Sequence, residues 1–127
     1  MAEDKVRVIQ EIVPGQGEKV RVIQEFVPGK QVTLAHVIRN PRSDICSLLG
    51  VERSGAVGIM TITPGEGAII ASDVAGKAAA VHVEFVDRFT GCLIFTGEVA
   101  SVETALNAAV TALGSILGFF PAPITRT

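Results

Sequence analysis

The alternation of apolar and polar positions along this chain opens with a pattern that occurs twice. Lys5–Gly15 reads KVRVIQEIVPG and Lys19–Gly29 reads KVRVIQEFVPG, the copies differing only at Ile12 and Phe26. Each copy is dense in β-branched residues and closes with Pro-Gly, which predicts a strand followed by a turn. Such a strand leaves N–H and C=O groups unpaired along both edges and needs a partner. Two units at so short a spacing are too few for a solenoid. The pattern therefore predicts an appended strand, present in duplicate, that finds its partners in other subunits.

Beyond the repeat, Gln31–Ile38 (QVTLAHVI) reads as a largely apolar strand. Asn40-Pro41 predicts a helix start, with Asn40 as N-cap, Pro41 at the first helical position and Gly50 closing a short helix. Ala56–Thr63 (AVGIMTIT) is apolar on both faces, as expected of a strand central in its sheet. Thr63 is then placed to cap the next helix, Pro64 to open it and Glu66 to complete a capping box. That helix is expected to reach about Ala79, with Ile69, Ile70, Val74 and Ala78 on one face. Val81–Arg88 alternates as a half-buried strand, Thr90-Gly91 turns the chain, and Cys92–Val99 returns beside it as a hairpin. The last helix is expected to be capped by Ser101 and to bury Val102, Leu106, Val110, Leu113 and Leu117. It ends at Gly118, leaving an extended or irregular tail over Phe119–Thr127. The predicted fold class is α+β: a mainly antiparallel sheet carrying two amphipathic helices on one face.

Composition adds a constraint. The 127 residues suffice for one domain with its own core, and 48% of them are apolar, with 13 Gly besides. That excess over an ordinary globular domain predicts apolar surface buried between subunits, hence an oligomer. A net charge of −2 without a basic cluster, and the absence of Trp and Tyr, argue against a nucleic-acid partner. The start, MAEDKV, is charged, and no segment reads as a membrane span, so no membrane partner is expected. Cys46 and Cys92 show no metal-ligand spacing and fit a reducing, cytoplasmic setting.

Candidate chemistry is sparse. His36 and His82 lie in predicted strands with no carboxylate or thiol at ligand spacing, and Cys92 has no local base to activate it. Gly65-Glu66-Gly67 places a carboxylate where a phosphate cradle needs none. No catalytic residue, cofactor or metal site is predicted. Asp73 and Lys77 are spaced for an ion pair on one helix face. Asp87-Arg88-Phe89-Thr90-Gly91 carries more than a hairpin turn requires, and reads either as a charged, half-exposed turn or as a loop presented to a solute or a neighbour.

Four segments together resemble a known family: Gln24–His36 (QEFVPGKQVTLAH), Gly58–Glu66 (GIMTITPGE), Asp87–Gly91 (DRFTG) and Ile124–Thr127 (ITRT). They are similar to the circularly permuted shell proteins of bacterial microcompartments, BMC-domain proteins of the ethanolamine- and propanediol-utilisation (EutS/PduU) type. The resemblance covers about residues 20–127. It implies a non-enzymatic building block in the cytoplasm, a cyclic homo-hexamer that tiles with other shell proteins and limits passage of metabolites. Encapsulated enzymes are a further partner class it allows. It also implies that the N-terminal strands of six subunits gather into a parallel β-barrel covering the central pore, with Val20, Val22, Ile23, Gln24, Glu25, Phe26 and Val27 as this chain's barrel strand. The turn Asp87, Arg88, Phe89, Thr90 and Gly91 aligns with the one that lines the pore in unpermuted relatives. Lys77 matches a helix lysine at the hexamer edge, and the stretch equivalent to its arginine partner is Arg39-Asn40-Pro41-Arg42.

On this reading residues 1–18 are the duplicated strand and its turn, 19–30 the barrel strand, and 31–127 the permuted domain. The first copy has three arrangements open to it. It can pair with the second as a hairpin through Pro14-Gly15-Gln16-Gly17, extend the barrel along its axis, or displace the second copy. The alternative function is a small oligomeric α+β regulatory module that binds a metabolite between subunits.

Overall fold

The computed structural model describes residues 29–127 in full and, ahead of them, the backbone of two strands, 5–12 and 20–27. These strands, β1 (Lys5–Ile12) and β2 (Val20–Val27), pair antiparallel in register from Lys5 opposite Val27 to Ile12 opposite Val20 and form a sheet of their own. This is the hairpin arrangement of the duplicated copies; the turn foreseen at Pro14–Gly17 lies outside the described residues.

The rest is a five-stranded sheet with helices. In chain order it runs β3 (Gln31–Arg39), α1 (Ser43–Leu49), β4 (Ala56–Thr63), α2 (Gly67–Ala78), β5 (Val81–Asp87), β6 (Cys92–Gly97), α3 (Val99–Leu117) and β7 (Ile124–Arg126). The sheet order is β5-β6-β4-β3-β7, antiparallel throughout except for β3 beside β7. β4 is the central strand, as its two-sided apolar pattern requires. The tail, expected to be extended or irregular, ends in an extended strand: Thr127 N–H donates to the Val37 carbonyl at 2.9 Å and Arg39 N–H to the Thr127 carbonyl at 3.0 Å. Three alternating residues make a strand here because β3 offers an open edge, which the tail's own pattern does not reveal.

The core lies between the sheet and the α2–α3 layer. Met60 and Ile62 of β4, and Leu93 and Phe95 of β6, pack against Val102, Leu106 and Leu113 of α3. Gly58 is buried beneath Phe95; a Cβ there would stand 2.7 Å from the ring and 3.0 Å from a Val102 methyl. Val110 and Leu117, expected in the α3 stripe, are only partly buried, and Ala105 and Ala109 share the closest contact. α3 ends as foreseen: Gly118 takes φ 70°, donates to the Gly114 carbonyl, and Phe119 N–H donates to the Leu113 carbonyl at 3.0 Å. Phe119 then turns back into the core.

Several sequence-based expectations about helices need correction. Asn40 does not cap α1; it adopts φ 48°, ends β3 and lets the chain reverse before Ser43. Thr63 remains in β4, and Glu66 makes no cap bond. Their task is taken by a tight turn in which Gly67, Ala68 and Ile69 N–H donate to the Pro64, Gly65 and Glu66 carbonyls at 3.0, 3.0 and 3.1 Å. Ser101 lies inside α3, whose N-cap is Glu98.

The buried face of α2 is also not the one expected. Gly67, Ala68, Ala71 and Ala75 are buried, while Ile69 and Ile70 stand 49% and 44% exposed. Close packing decides this: a Cβ on Gly67 would already lie 2.7 Å from an Ile62 methyl and 3.0 Å from the Phe119 ring, leaving no depth for an isoleucine.

Finally, α3 is long and apolar enough to cross a membrane, contrary to the sequence-based expectation that no segment is, with 19 residues and mean hydropathy 1.3. Here it forms one packed layer of the domain, with Thr104, Asn107 and Thr111 on its exposed side.

If the small face of α2 limits its approach, Ala71→Leu overpacks the core and costs about 1–3 kcal/mol. Denaturant unfolding checks this, with a lowered midpoint and an unchanged slope expected; an unchanged midpoint would contradict the packing described.

Candidate functional site

The turn Asp87–Gly91 joins β5 to β6 and is built by its first residue. Asp87 Oδ1 accepts from Phe89 N–H and Oδ2 from the Thr90 hydroxyl, both at 2.9 Å, and Gly91 N–H donates to the Asp87 carbonyl at 2.8 Å. Gly91 takes φ 76°, a conformation that strains any other residue. Bonds to the ionised carboxylate, first from Phe89 N–H and then from Thr90, hold the Asp87 pKa below its ordinary value.

The turn is docked as well as folded. Ile62 N–H donates to the Gly91 carbonyl at 2.9 Å. A Cβ on Gly91 would strike the Ile62 carbonyl and one on Gly65 the Arg88 carbonyl, so backbone touches backbone at both glycines. The Arg88 guanidinium lies 5.0 Å from the centroid of the Phe89 ring, which is itself 84% exposed. A rigid loop thus presents a cation and an aromatic ring to whatever adjoins it.

Lys77 sits in the last turn of α2, 2.7 Å from Asp73 across one helical turn, both side chains well exposed. The arginines that flank Asn40-Pro41 are occupied within the chain: Arg42 pairs with Asp44 at 2.8 Å, and Arg39 Nε donates to the Thr127 carbonyl at 3.3 Å. The positions Val20, Val22, Ile23, Gln24, Glu25, Phe26 and Val27 all lie in β2, paired with β1.

His36 has a structural task. Its ring nitrogens lie 2.6 Å from the Thr125 hydroxyl and 2.8 Å from that of Thr127, so it fastens the terminal strand to β3. Arg126 adds a second fastening through Glu103 of α3 at 2.6 Å. His82 is exposed, 3.8 Å from Glu84. Burial, and then the charge of Asp87, push the Cys92 thiol pKa up, which keeps it protonated and a poor nucleophile at neutral pH. Among the described residues no three His, Cys, Asp or Glu side chains gather as metal ligands do.

Two open recesses were not legible in the sequence. One, of about 310 Å³, is lined by Leu48, Leu49 and Val51 on one side and Phe85 and Ile94 on the other. The second, about 460 Å³, brings Glu52 and Arg53 beside His82, Glu84 and Thr96. Glu84 accepts from the Thr96 hydroxyl at 3.0 Å. In each recess α1 or the segment after it meets residues of β5 and β6 that lie far along the chain, so no local pattern announces them. Leu48, Ile69, Ile70, Phe85, Phe89 and Ile116 are all substantially exposed, apolar surface that contacts between copies of the chain would cover.

Comparison with known proteins places the chain in a family. The BMC domain model matches residues 56–125. Over 124 residues the chain is 52% identical to the bacterial microcompartment shell protein EutS of Escherichia coli strain K12, covering 98% of this chain and 99% of that one. It is 52% identical over 122 residues to the shell protein PduU of Salmonella typhimurium strain LT2, covering 95% and 93%. Its fold superposes on a flat hexamer of CutR with a TM-score of 0.78 and 50% identity, covering 84% of this chain and 99% of that one. The chain belongs to the BMC-domain family of bacterial microcompartment shell proteins.

Proposed function

We propose that this chain forms a cyclic homo-hexamer that tiles with other shell proteins, acts without catalysis, and restricts metabolite passage across a microcompartment shell in the cytoplasm. The observation that carries this reading is the near full-length match to shell proteins together with the match to a subunit of a flat hexamer. The exposed apolar residues supply the physical reason to assemble. Encapsulated enzymes are further candidate partners.

The permuted order has its own support. The family model begins at β4, yet β3, which precedes it, is hydrogen-bonded into the same sheet beside the terminal β7. The two fastenings on β7, through His36 and Glu103, hold this last strand on the edge of β3. In this reading the hexamer's central opening is bordered by the Asp87–Gly91 turn and covered by N-terminal strands gathered on the symmetry axis.

Lys77, at the exposed end of α2, is assigned to contacts between hexamers. Concentrated protein viewed by electron microscopy is expected to show extended layers. Lys77→Ala should abolish the layers while leaving the hexamer intact; loss of the hexamer itself would place Lys77 elsewhere.

The turn gives a second test. Asp87→Ala removes both carboxylate bonds, so amide hydrogen exchange at Phe89 should rise well above that of the unsubstituted chain while β4 and β6 keep their protection. Because the Asp87 pKa is depressed, the order it confers is present above the ordinary carboxylate pKa and is lost only as pH falls through the lower folded value. Exchange at Phe89 that loosens already above the ordinary range would contradict this.

A further inference from the structure

We propose that the two N-terminal strands of each subunit stay together as one hairpin, and that hairpins of neighbouring copies of this chain join edge to edge into a closed ring of alternating β1 and β2 strands. The inference rests on the cyclic-hexamer reading above. It differs in giving the axial barrel two strands from each subunit instead of one.

The register carries the proposal. Arg7 stands opposite Glu25 and Glu11 opposite Arg21, so two cross-strand positions join unlike charges. A parallel barrel of β2 strands alone sets Arg21 level with Glu25 only if neighbours slip by four residues. The antiparallel hairpin achieves the match with no slip. The same register sorts the residues by face: Val6, Val8 and Ile12 of β1 share one face with Val20, Val22 and Phe26 of β2 and with Gln10 and Gln24, while the five charged residues Lys5, Arg7, Glu11, Arg21 and Glu25 share the other with Ile9, Ile23 and Val27.

That hairpin is incomplete alone. A lone two-stranded ribbon is marginal in water, and this one has a mostly apolar face and two open edges. A second copy supplies what is missing. Because β1 and β2 are nearly identical in sequence, the free edge of β1 can meet the free edge of a neighbour's β2 in the same antiparallel sense as within the hairpin. An even slip at each seam keeps the faces in place and provides the stagger a barrel needs.

Two strands from each of six subunits make twelve, an even number that closes with the alternation unbroken. About eight strands already enclose just enough space for side chains to fill. A twelve-stranded ring with its charged face toward water therefore leaves a lumen lined by the other face, mostly apolar with Gln10 and Gln24 among its positions. Such a ring would leave the axis open to small solutes, where a six-stranded barrel would cover it.

The seam can be tested by covalent capture in assembled rings isolated by size. One set of chains carries a single added cysteine in β1, Lys5→Cys, Arg7→Cys or Ile9→Cys, which spans the matched register and a slip of two residues either way. The other set carries Glu25→Cys. After oxidation, with the unsubstituted chain giving the background from Cys46 and Cys92, mixed rings should yield a β1–β2 linked dimer that neither unmixed ring gives. Peptide mass mapping identifies the bond. Glu25→Cys chains linking to one another through that cysteine would instead mean a barrel of β2 strands, and would overturn the proposal. So would mixed rings with no β1–β2 bond. If the unsubstituted chain forms no six-membered ring, the hexamer reading itself fails; a ring without the bond overturns the seam alone.

Discussion

One helical layer can bury only one face of a sheet, and in this protein the small side of α2 decides what goes underneath it. Gly67, Ala68, Ala71 and Ala75 bring the helix close enough to seal Ile62 and Phe119, and Gly58 makes room for the Phe95 ring under α3. Close approach fills the core with alanines, methyl groups and the rings of Phe95 and Phe119. Larger apolar residues that a looser sandwich would take in, Ile69 and Ile70 among them, are turned outward. On the far side of the sheet Leu34 and Phe85 also remain partly open to water. The tight core and the apolar exterior are two consequences of one packing choice, and the exterior fits a protein made to be covered by its own kind.

The same economy of space fixes the β5–β6 turn. Gly65 and Gly91 let two backbones touch, so the loop bearing Arg88 and Phe89 is anchored to the junction of β4 and α2. Asp87 then holds the loop from inside with bonds to Phe89 N–H and Thr90. Rigidity of this kind lets an exposed aromatic ring and cation keep their position without a binding partner to order them.

Much of the sheet was legible in the sequence because its signals are local. The two-sided apolar run of β4, the alternation of β5 and β6 around Thr90-Gly91, and the closing glycines Gly50 and Gly118 all read correctly. What could not be read depends on contacts distant along the chain. Helical periodicity pointed to isoleucines as the core face of α2, because it weighs hydrophobicity and cannot see how near α3 lies. Side-chain caps were foreseen at Asn40, Thr63 and Ser101, whereas backbone turns or extended neighbours begin those helices. β7 exists because β3 has a free edge. The loop Asp87–Gly91 and the strand at Val20–Val27 stood out by motif, yet the polar recess between Glu52 and Glu84 did not, since it forms where the segment after α1 meets β5 and β6, far along the chain.

In the proposed ring, the outward apolar surface of each subunit is covered by other subunits. Light scattering on a sizing column, at concentrations spanning two or three decades, tests this most directly. The account predicts a species of six times 13.3 kDa that persists on dilution. A stable monomer, or a trimer that never closes to six, would contradict it.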